Sequence, residues 1–426
     1  MRKRIISLLC TICLVLVFAT GCSFGNKDRL DYLEQQYIIK EELIAEQKNA
    51  ITELEKKNTD QTAETEALKK KIADLEKKIK ELEDNLKPPD VVEDGDLSIH
   101  FLELGNRFTG DSVYISYGGT DILIDAGSRP GSAATITRYI DNYITDGKLD
   151  YVIATHAHQD HIAGFYSSGS GSSKVTGVLD AYEIGTIIDY PRTNSTTVTR
   201  TNYETTRDRL VTDGDTVHYT ALECYKEQNG AQRIYDIGPG VTLEILYNYY
   251  YERSASTENN YSVIVRIVQD GNQYLFTGDL EKDGEDKLVD YYETNYGGLG
   301  THILYKGGHH GSSTSSNDKL LVAITPEYII ICTCAGTAEY QPNIQDDPRS
   351  FPTQTFIDRI APYTDKVYVT TIITDWSAGS YESMNGDVIF LVKDGEISII
   401  GSNNDTKLKD TDWFKTHRTM PAAWAE

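Results

Sequence analysis

The feature that most constrains this chain is a group of metal-binding side-chain types packed into six residues. The segment contains His156, His158, Asp160 and His161, and it follows residues 151–154, a short apolar run that predicts a buried strand. Imidazole nitrogen and carboxylate oxygen bind Zn²⁺, Mn²⁺ and iron, and alternate residues of a loop can face two neighbouring ions. Because α/β proteins place their sites beyond the carboxyl ends of strands, the segment predicts an α/β fold with a metal site at a sheet edge.

The body around this segment alternates β-type and helical patterns. Residues 193–207 are rich in Thr, Asn and Arg without an apolar period, which predicts a surface loop. Cys332 and Cys334 alternate along an apparent strand, so we expect buried thiols there rather than metal ligands. A helix is predicted at 133–144, and strands at 97–104, 112–117, 121–125, 366–373, 387–393 and 396–400.

Further segments extend the histidine motif into a family pattern. Asp125 closes a predicted strand, Asp279 lies in Phe-Thr-Gly-Asp-Leu, and His309 and His310 lie in Lys-Gly-Gly-His-His-Gly-Ser. Together with Asn-Asn-Tyr-Ser at 259–262, they make the chain resemble the metallo-β-lactamase superfamily, and within it the ComEC-like competence branch. The pattern is also similar to that of secreted teichoic-acid phosphorylcholine esterases. The resemblance implies an αββα sandwich over residues 97–401, with two divalent metal ions, Zn or Mn, at one edge between the sheets.

The resemblance also implies which side chains hold the ions. The superfamily's usual third histidine motif is missing between the two clusters, and His218, at a turn into a strand, is the only candidate for it. We therefore expect one ion with three protein ligands and open positions for water, as a catalytic metal requires. The implied ligands are His156, His158 and Asp279 for that ion, and Asp160, His161, Asp279 and His310 for the other.

Catalytic roles follow from the same resemblance. Asp160 would orient the attacking hydroxide, and His309 would face the substrate as a proton donor or a phosphate contact. Either member of the adjacent histidine pair remains possible as the ligand, with His310 favoured. Lys306 and Ser312 are candidates for contacting an anionic group of the substrate, or else are solvated loop positions.

A pair of bound metal ions suits hydrolysis of a phosphodiester, which is the function we predict. The ComEC-like resemblance implies DNA as the substrate, and the esterase resemblance implies a cell-wall or lipid molecule. The formal net charge is −24, and residues 96–426 hold 25 Lys and Arg against 46 Asp and Glu, which disfavours a long polyanion such as DNA. Two alternatives stay open: hydrolysis of lactams or lactones, and a non-catalytic binding protein on the same fold. The second is suggested by the missing histidine and by 29 tyrosines, since aromatic clusters bind sugars and cations.

The N-terminus predicts export. Basic residues at 2–4 precede an apolar run at 5–18 and the sequence Ala-Thr-Gly-Cys22, which resembles the lipobox of bacterial lipoproteins. We expect a signal peptide at 1–21, lipidation of Cys22, a tether at 22–29, and an extracytoplasmic protein anchored to the bacterial cell membrane. An uncleaved anchor or a plain secreted protein is the alternative.

Residues 30–87 carry an apolar 3,4 repeat that predicts a coiled coil, because a lone helix could not bury such a stripe. Ile at the first and Leu at the fourth heptad position favour a parallel homodimer, and Asn58 would fix its register. The alternative is one amphipathic helix folded onto the body. Prolines 88 and 89 begin a linker at 88–96, and the tail at 402–426 has no assigned role.

Overall fold

The computed structural model describes residues 95–425 except 215, 340, 342 and 346, together with five earlier positions. Those positions are helical and exposed: Lys40, Ile44, Lys48, Lys69 and Lys71. The predicted signal peptide, Cys22 and the tether lie outside the described residues, as do nearly all of the predicted coiled coil and linker. In the part of the chain that is described, no helix is both long and apolar enough to cross a bilayer.

Among the described residues, sixteen strands form two mixed sheets of eight. The first sheet has the order β16-β15-β1-β2-β3-β4-β5-β6, and the second has the order β14-β13-β12-β11-β10-β9-β8-β7. The strands are β1 Leu97–Phe101, β2 Val113–Tyr117, β3 Thr120–Ile124, β4 Lys148–Ala154, β5 Glu183–Asp189, β6 Val217–Thr220, β7 Ile234–Gly238, β8 Val241–Leu246, β9 Ile264–Gln269, β10 Asn272–Phe276, β11 Leu304–Lys306, β12 Tyr328–Ala335, β13 Val367–Asp375, β14 Ser380–Ser383, β15 Val388–Lys393 and β16 Glu396–Gly401.

The two sheets pack face to face through large apolar side chains. Phe101 of β1 stacks on Phe276 of β10 with ring centroids 6.3 Å apart, and Tyr274 of β10 meets Phe390 of β15 at 5.5 Å. All four side chains are fully buried. Aromatic pairs of this kind add about 0.5–1.5 kcal/mol beyond the area they bury. The predicted αββα sandwich is thus confirmed.

Helices connect the parallel strands of each sheet. The pairs β3–β4, β4–β5 and β5–β6 are parallel in the first sheet, as are β10–β11, β11–β12 and β12–β13 in the second. Each of these connections contains at least one helix, as a crossover between parallel strands requires. The helices are α1 Ser132–Ile140, α2 Gln159–Ile162, α3 Val178–Ala181, α4 Val198–Asp213, α5 Ala221–Lys226, α6 Lys282–Tyr296, α7 Asp318–Ile324, α8 Gln354–Ile360 and α9 Asp412–His417.

The prediction of a surface loop at 193–207 is wrong over most of that range, because α4 begins at Val198. The helix buries only Tyr203, so it leaves no apolar period in the sequence. Local interactions stabilise it instead: the Thr197 side chain accepts a hydrogen bond from the backbone of Arg200, and Gly214 ends the helix at φ +119°. Caps and pairs of oppositely charged residues four positions apart can support a helix that is polar all round.

The C-terminal tail docks on the sandwich. Trp413 and Phe414 of α9 are buried, as is Trp424, whose Nε1 donates to the carbonyl oxygen of Thr364 at 2.8 Å. Arg418 donates to backbone carbonyl oxygens just before α8. The tail therefore belongs to the same hydrophobic core as the two sheets. The buried state predicted for Cys332 and Cys334 is confirmed, and both are free thiols.

Candidate metal centre

The centre lies where the carboxyl ends of parallel strands from both sheets meet. In the first sheet, Asp125 follows β3 and the first histidine cluster follows β4. In the second sheet, Asp279 follows β10, and the pair His309 and His310 follows β11. The topology thus brings together segments that are more than a hundred residues apart, at the edge that α/β proteins use for binding.

One oxygen atom, Oδ2 of Asp279, is the common point of the cluster. It lies 3.0 Å from Nε2 of His161 and 3.4 Å from Nε2 of His310. Nε2 of His309 lies 3.6 Å away and Nε2 of His156 3.8 Å away. All five side chains are almost completely buried. Four imidazoles converging on one carboxylate are hard to explain as packing, since buried histidines are normally paired with separate partners.

The two remaining predicted ligands complete the group. Nδ1 of His158 lies 3.1 Å from Nε2 of His156, and Oδ2 of Asp160 lies 3.5 Å from Nε2 of His310. His158 is partly exposed, whereas Asp160 is buried. The structure therefore brings every predicted metal ligand into one cluster around Asp279.

The donor set fits divalent metal ions. Both carboxylate oxygens of Asp160, Oδ1 of Asp279 and Nε2 of His310 are buried and make no hydrogen bond. Buried polar atoms without a partner cost about 1–3 kcal/mol each, so four of them in one place require an explanation. Imidazole and carboxylate groups suit Zn²⁺ or Mn²⁺, and these ions would satisfy the free lone pairs.

A second layer of side chains fixes the orientation of the histidines. Nδ1 of His161 donates to Oδ2 of Asp125 at 2.7 Å, which directs Nε2 toward Asp279. Oδ1 and Oδ2 of Asp125 also accept hydrogen bonds from the backbone and the hydroxyl of Thr155. Nδ1 of His310 donates to the carbonyl oxygen of Cys332 at 3.0 Å. Such partners set the tautomer of a metal-binding histidine and hold its ring in place.

Asp111 is a residue of the centre that the sequence analysis missed. Its Oδ1 lies 3.0 Å from Nδ1 of His310, and its Oδ2 lies 2.5 Å from Nζ of Lys306. Asp111 stands in the loop between β1 and β2, in no recognisable motif, so only the folded chain shows its position. Lys306 is 2% exposed and forms a buried ion pair behind the histidines, rather than standing at an open surface.

Charge interactions within the centre shift the pKa values strongly. Burial alone would raise the pKa of Asp279, but His161 and His310 lower it to well below its usual range. Burial would lower the pKa of His161, yet the carboxylates of Asp279 and Asp125 raise it well above its ordinary value. Charge pairing thus favours the ionised carboxylate of Asp279 and the protonated imidazole of His161, whereas burial lowers the pKa of His156 well below its ordinary value.

The backbone that presents the histidine pair is unusual. His309 has φ +47° and His310 has φ +56°, so two consecutive residues with side chains occupy the left-handed region. Each such residue costs on the order of 1 kcal/mol, and the conformation persists only where surrounding contacts hold it. The backbone N–H of His309 donates to the carbonyl oxygen of Gly278 at 3.1 Å, which ties the pair to the loop of Asp279.

The segment at 259–262 acquires a structural role. The Ser262 hydroxyl accepts a hydrogen bond from the backbone of Asp279 at 3.1 Å and donates to the carbonyl oxygen of Asn259 at 2.7 Å. A Cβ atom on Gly278, whose φ is +54°, would lie 2.9 Å from this hydroxyl. Glycine is therefore required before Asp279 for both its backbone conformation and its lack of a side chain.

The other residues considered from the sequence lie as follows. Ser312 is 6% exposed, and its hydroxyl lies 3.1 Å from that of Thr314. His218 lies in β6, and its Nε2 is 2.8 Å from Oδ1 of Asp189, which also binds Arg207. His218 thus belongs to a separate polar cluster.

Glu339, in the loop after β12, is a second residue that the sequence analysis missed. Its Oε2 lies 3.2 Å from Nε2 of His309. Glu339, His158 and Asp160 each offer a ligand atom within 4.8 Å of the other two. No sequence motif marked this position, since the glutamate lies 30 residues beyond His309, its nearest partner along the chain, in a loop with no recognisable pattern.

Sequence comparisons agree with this geometry. The model of the Metallo-beta-lactamase superfamily matches residues 105–167. Competence protein ComA of Neisseria gonorrhoeae is 38% identical over 91 residues, which make up 21% of this chain and 13% of that protein. ComE operon protein 3 of Bacillus subtilis (strain 168) is 22% identical over 201 residues, or 46% of this chain and 21% of that protein. The chain therefore spans less than a quarter of either curated relative.

Solved structures with similarity include the metallo-beta-lactamase fold protein YhfI from Bacillus subtilis, which is 11% identical with a TM-score of 0.37. That match covers 66% of this chain and 97% of the other. CmlA, a diiron beta-hydroxylase from Streptomyces venezuelae, is 14% identical with a TM-score of 0.33, over 57% of this chain and 45% of the other.

The matched range contains Asp111, Asp125 and the first histidine cluster. In the structure, residues of this range meet Asp279 and His310 in the buried centre. The matched sequence, the curated competence relatives and the two-sheet fold together identify a metallo-β-lactamase superfamily domain in this chain and support its place in the ComEC-like branch.

Proposed function

We propose that the protein is a metal-dependent phosphodiesterase that acts outside the bacterial cell membrane. The observation that carries the proposal is the position of Asp279, whose Oδ2 lies within 3.8 Å of four imidazole nitrogens. A carboxylate shared in this way can bridge two ions. Pairs of ions suit displacement at phosphorus, where charge must be neutralised on both the attacking and the leaving oxygen.

The proposed ligands are assigned to two ions that share Asp279. His156 and His158 would hold one ion with Asp279, and the remaining predicted ligands, Asp160, His161 and His310, would hold the other with the same carboxylate. When bound, such ions make water acidic enough to attack at neutral pH and neutralise charge on a phosphoryl group.

The chain's own residues supply proton transfer and orientation. Asp160 has two carboxylate oxygens without hydrogen bonds, so one can accept a hydrogen bond from the attacking water while the other serves as a ligand. His309 is held by its Nδ1, which lies 2.9 Å from the Thr314 hydroxyl, so its Nε2 faces the centre. In that orientation His309 can donate a proton to the leaving oxygen.

The substrate is a phosphodiester in nucleic acid or in a wall or lipid molecule. The competence relatives favour DNA, whereas the net charge of −24 favours a smaller diester, because an acidic surface slows the approach of a polyanion. Comparing single-stranded DNA, choline phosphodiesters and cyclic nucleotides as substrates would separate these classes.

The test combines metal content with turnover. After reconstitution with Mn²⁺ or Zn²⁺, the protein should bind about two ions and hydrolyse bis-p-nitrophenyl phosphate. His158→Ala should lose metal and lower turnover at least about tenfold. His417→Ala, a histidine of the docked tail outside the centre, is the matched control and should change neither. Reconstituted protein without bound metal and without turnover would refute the proposal, and faster turnover of nitrocefin than of any diester would favour acyl hydrolysis.

We also propose that Cys22 is lipidated, which anchors the protein to the membrane, and that residues 30–87 form a parallel dimer. The lipobox-like sequence and the heptad repeat support these proposals. Replacing Cys22 with Ser should abolish acyl labelling and release the protein into the soluble fraction. The protein without residues 1–94 should sediment as a monomer; if it still dimerises, the coiled coil is not the contact.

A further inference from the structure

The ion assigned to His156 and His158 has fewer ligands than its neighbour. Asp279 is the only further ligand assigned to this ion, because the sequence has no third histidine motif between the two clusters. His218, the only candidate in the sequence, is held by Asp189 through a contact of 2.8 Å. A further ligand for this ion must therefore come from another part of the fold.

The loop after β12 reaches the same edge as the other ligands. β12 is parallel to β11, so its carboxyl end lies beside the segment that presents His309. The start of this loop is fixed, because the Thr337 hydroxyl donates to the carbonyl oxygen of Cys334 at 2.7 Å and Thr337 accepts from the backbone of Phe351 at 2.8 Å. Glu339 follows two residues later, inside the turn that the backbone N–H of Gln341 closes by donating to the carbonyl oxygen of Ala338.

The carboxylate of Glu339 faces the centre rather than solvent. Its Oε2 lies 3.2 Å from Nε2 of His309, and the side chain is 22% exposed, at the rim of the centre. Ligand atoms of Glu339 and His158 lie within 4.8 Å of each other, and Asp160, which is assigned to the neighbouring ion, offers an oxygen within the same distance of both. Two atoms bound to one ion at about 2.0–2.2 Å can be at most about 4.4 Å apart, so these side chains lie at about the spacing that ligands of a shared ion require.

Charge balance favours a carboxylate at this position. Asp160 and Asp279 are the only anionic groups among the proposed ligands. Behind them, Asp125 adds one negative charge and Lys306 neutralises Asp111, so two divalent ions would leave one positive charge in the buried centre. A third carboxylate reduces this charge, which lowers the cost of burying it. Carboxylate oxygen also suits Mn²⁺ better than imidazole does, so the ligand affects which metal is preferred.

We propose that Glu339 is a metal ligand that replaces the missing histidine at the ion held by His156, His158 and Asp279. This inference rests on the proposed two-metal function. The adjacent His309 remains the proton donor, and the carboxylate that binds the ion also fixes the orientation of its ring.

The experiment measures metal binding directly on the full chain, by isothermal titration with Mn²⁺ and Zn²⁺ and by the absorption spectrum of the Co²⁺-loaded protein. Glu339→Gln should weaken one of two binding events at least about tenfold and change the Co²⁺ spectrum. Glu339→His supplies the superfamily's usual ligand type, so it should restore binding of two ions and shift the preference toward Zn²⁺. The matched control is Glu327→Gln, an exposed glutamate just before β12, which should leave both properties unchanged.

The outcomes separate this inference from the proposed function. If the unaltered protein binds two ions and Glu339→Gln binds both with unchanged affinity and spectrum, Glu339 is not a ligand and the phosphodiesterase proposal stands. If Glu339→His fails to recover binding while His309→Ala reproduces the loss seen for Glu339→Gln, the glutamate acts only through His309 and the inference is overturned. If the unaltered protein binds no ion, both proposals fail.

Discussion

Removing one member of the buried ion pair behind the histidines should lower the free energy of unfolding far more than removing one member of a surface pair of the same geometry. Nζ of Lys306 lies 2.5 Å from Oδ2 of Asp111, and the two side chains are 3% and 2% exposed. Lys366 and Glu327 form a pair at 2.6 Å with side chains 36% and 52% exposed. The distances are nearly equal, so the main difference between the two pairs is their burial.

Removing one member of the buried pair leaves an uncompensated charge, which costs about 3–5 kcal/mol. We expect this cost for Asp111→Asn, because the Lys306 ammonium then keeps only a contact of 3.3 Å to the carbonyl oxygen of Gly307. Lys306→Met should cost less, since Asp111 still lies 3.0 Å from Nδ1 of His310. Breaking the exposed pair by Lys366→Met should cost about 0–1 kcal/mol.

The assay is urea denaturation of the metal-free protein, comparing the free energy of unfolding of each single variant and of Asp111→Asn/Lys306→Met. The double variant should be more stable than the sum of the single losses predicts, by at least about 1 kcal/mol, because it buries no unpaired charge. If Asp111→Asn and Lys366→Met cost the same, or if the single losses simply add, the reasoning from burial is refuted.

Three further predictions concern other parts of the fold. Burial and the nearby Glu103 raise the pKa of Asp387 to about 7, so ionisation of this carboxyl opposes folding. The Asp387→Asn variant should therefore have a free energy of unfolding up to about 4 kcal/mol higher than that of the unaltered protein at pH 8, and an equal one at pH 4. Urea denaturation at both pH values measures this difference. A constant difference across this range would contradict that assignment. Thr197→Ala removes the N-cap of α4 and should cost about 1 kcal/mol, whereas an unchanged denaturation midpoint would show that the cap is dispensable. Arg418 donates to two backbone carbonyl oxygens beside Phe351, whose ring packs on the histidine pair. Arg418→Ala should therefore weaken metal binding several-fold, as measured by titration. Unchanged affinity would show that the tail does not position the pair.

The parts of the fold and centre that were predictable carry their physical reason in local sequence. Short apolar runs that end in histidine or aspartate predicted both the strands and the ligands at their carboxyl ends, because buried strands and metal ligands impose strict residue types. His156, Asp279 and His310 could be recognised for that reason. The fold then placed both histidines within 3.8 Å of the carboxylate of Asp279.

The parts that were not predictable depend on contacts made only in the folded chain. Asp111 and Glu339 are single acidic residues in loops, and acidic residues are common on surfaces, so nothing in the sequence distinguishes them. Lys306 was expected near substrate because it adjoins the histidine motif, but β11 turns it toward Asp111. The α4 helix was missed because caps and charge pairs, rather than an apolar stripe, maintain it.

The docking of the tail has a practical consequence for work on this protein. A fragment ending at Gly401, where the last strand stops, would expose the apolar surface that Trp413, Phe414 and Trp424 cover. It would also remove Arg418, which holds the segment before α8, where the ring of Phe351 packs on the histidine pair. Truncation at that boundary would therefore impair both solubility and cation affinity, and a fragment meant to retain the centre should extend through Ala425.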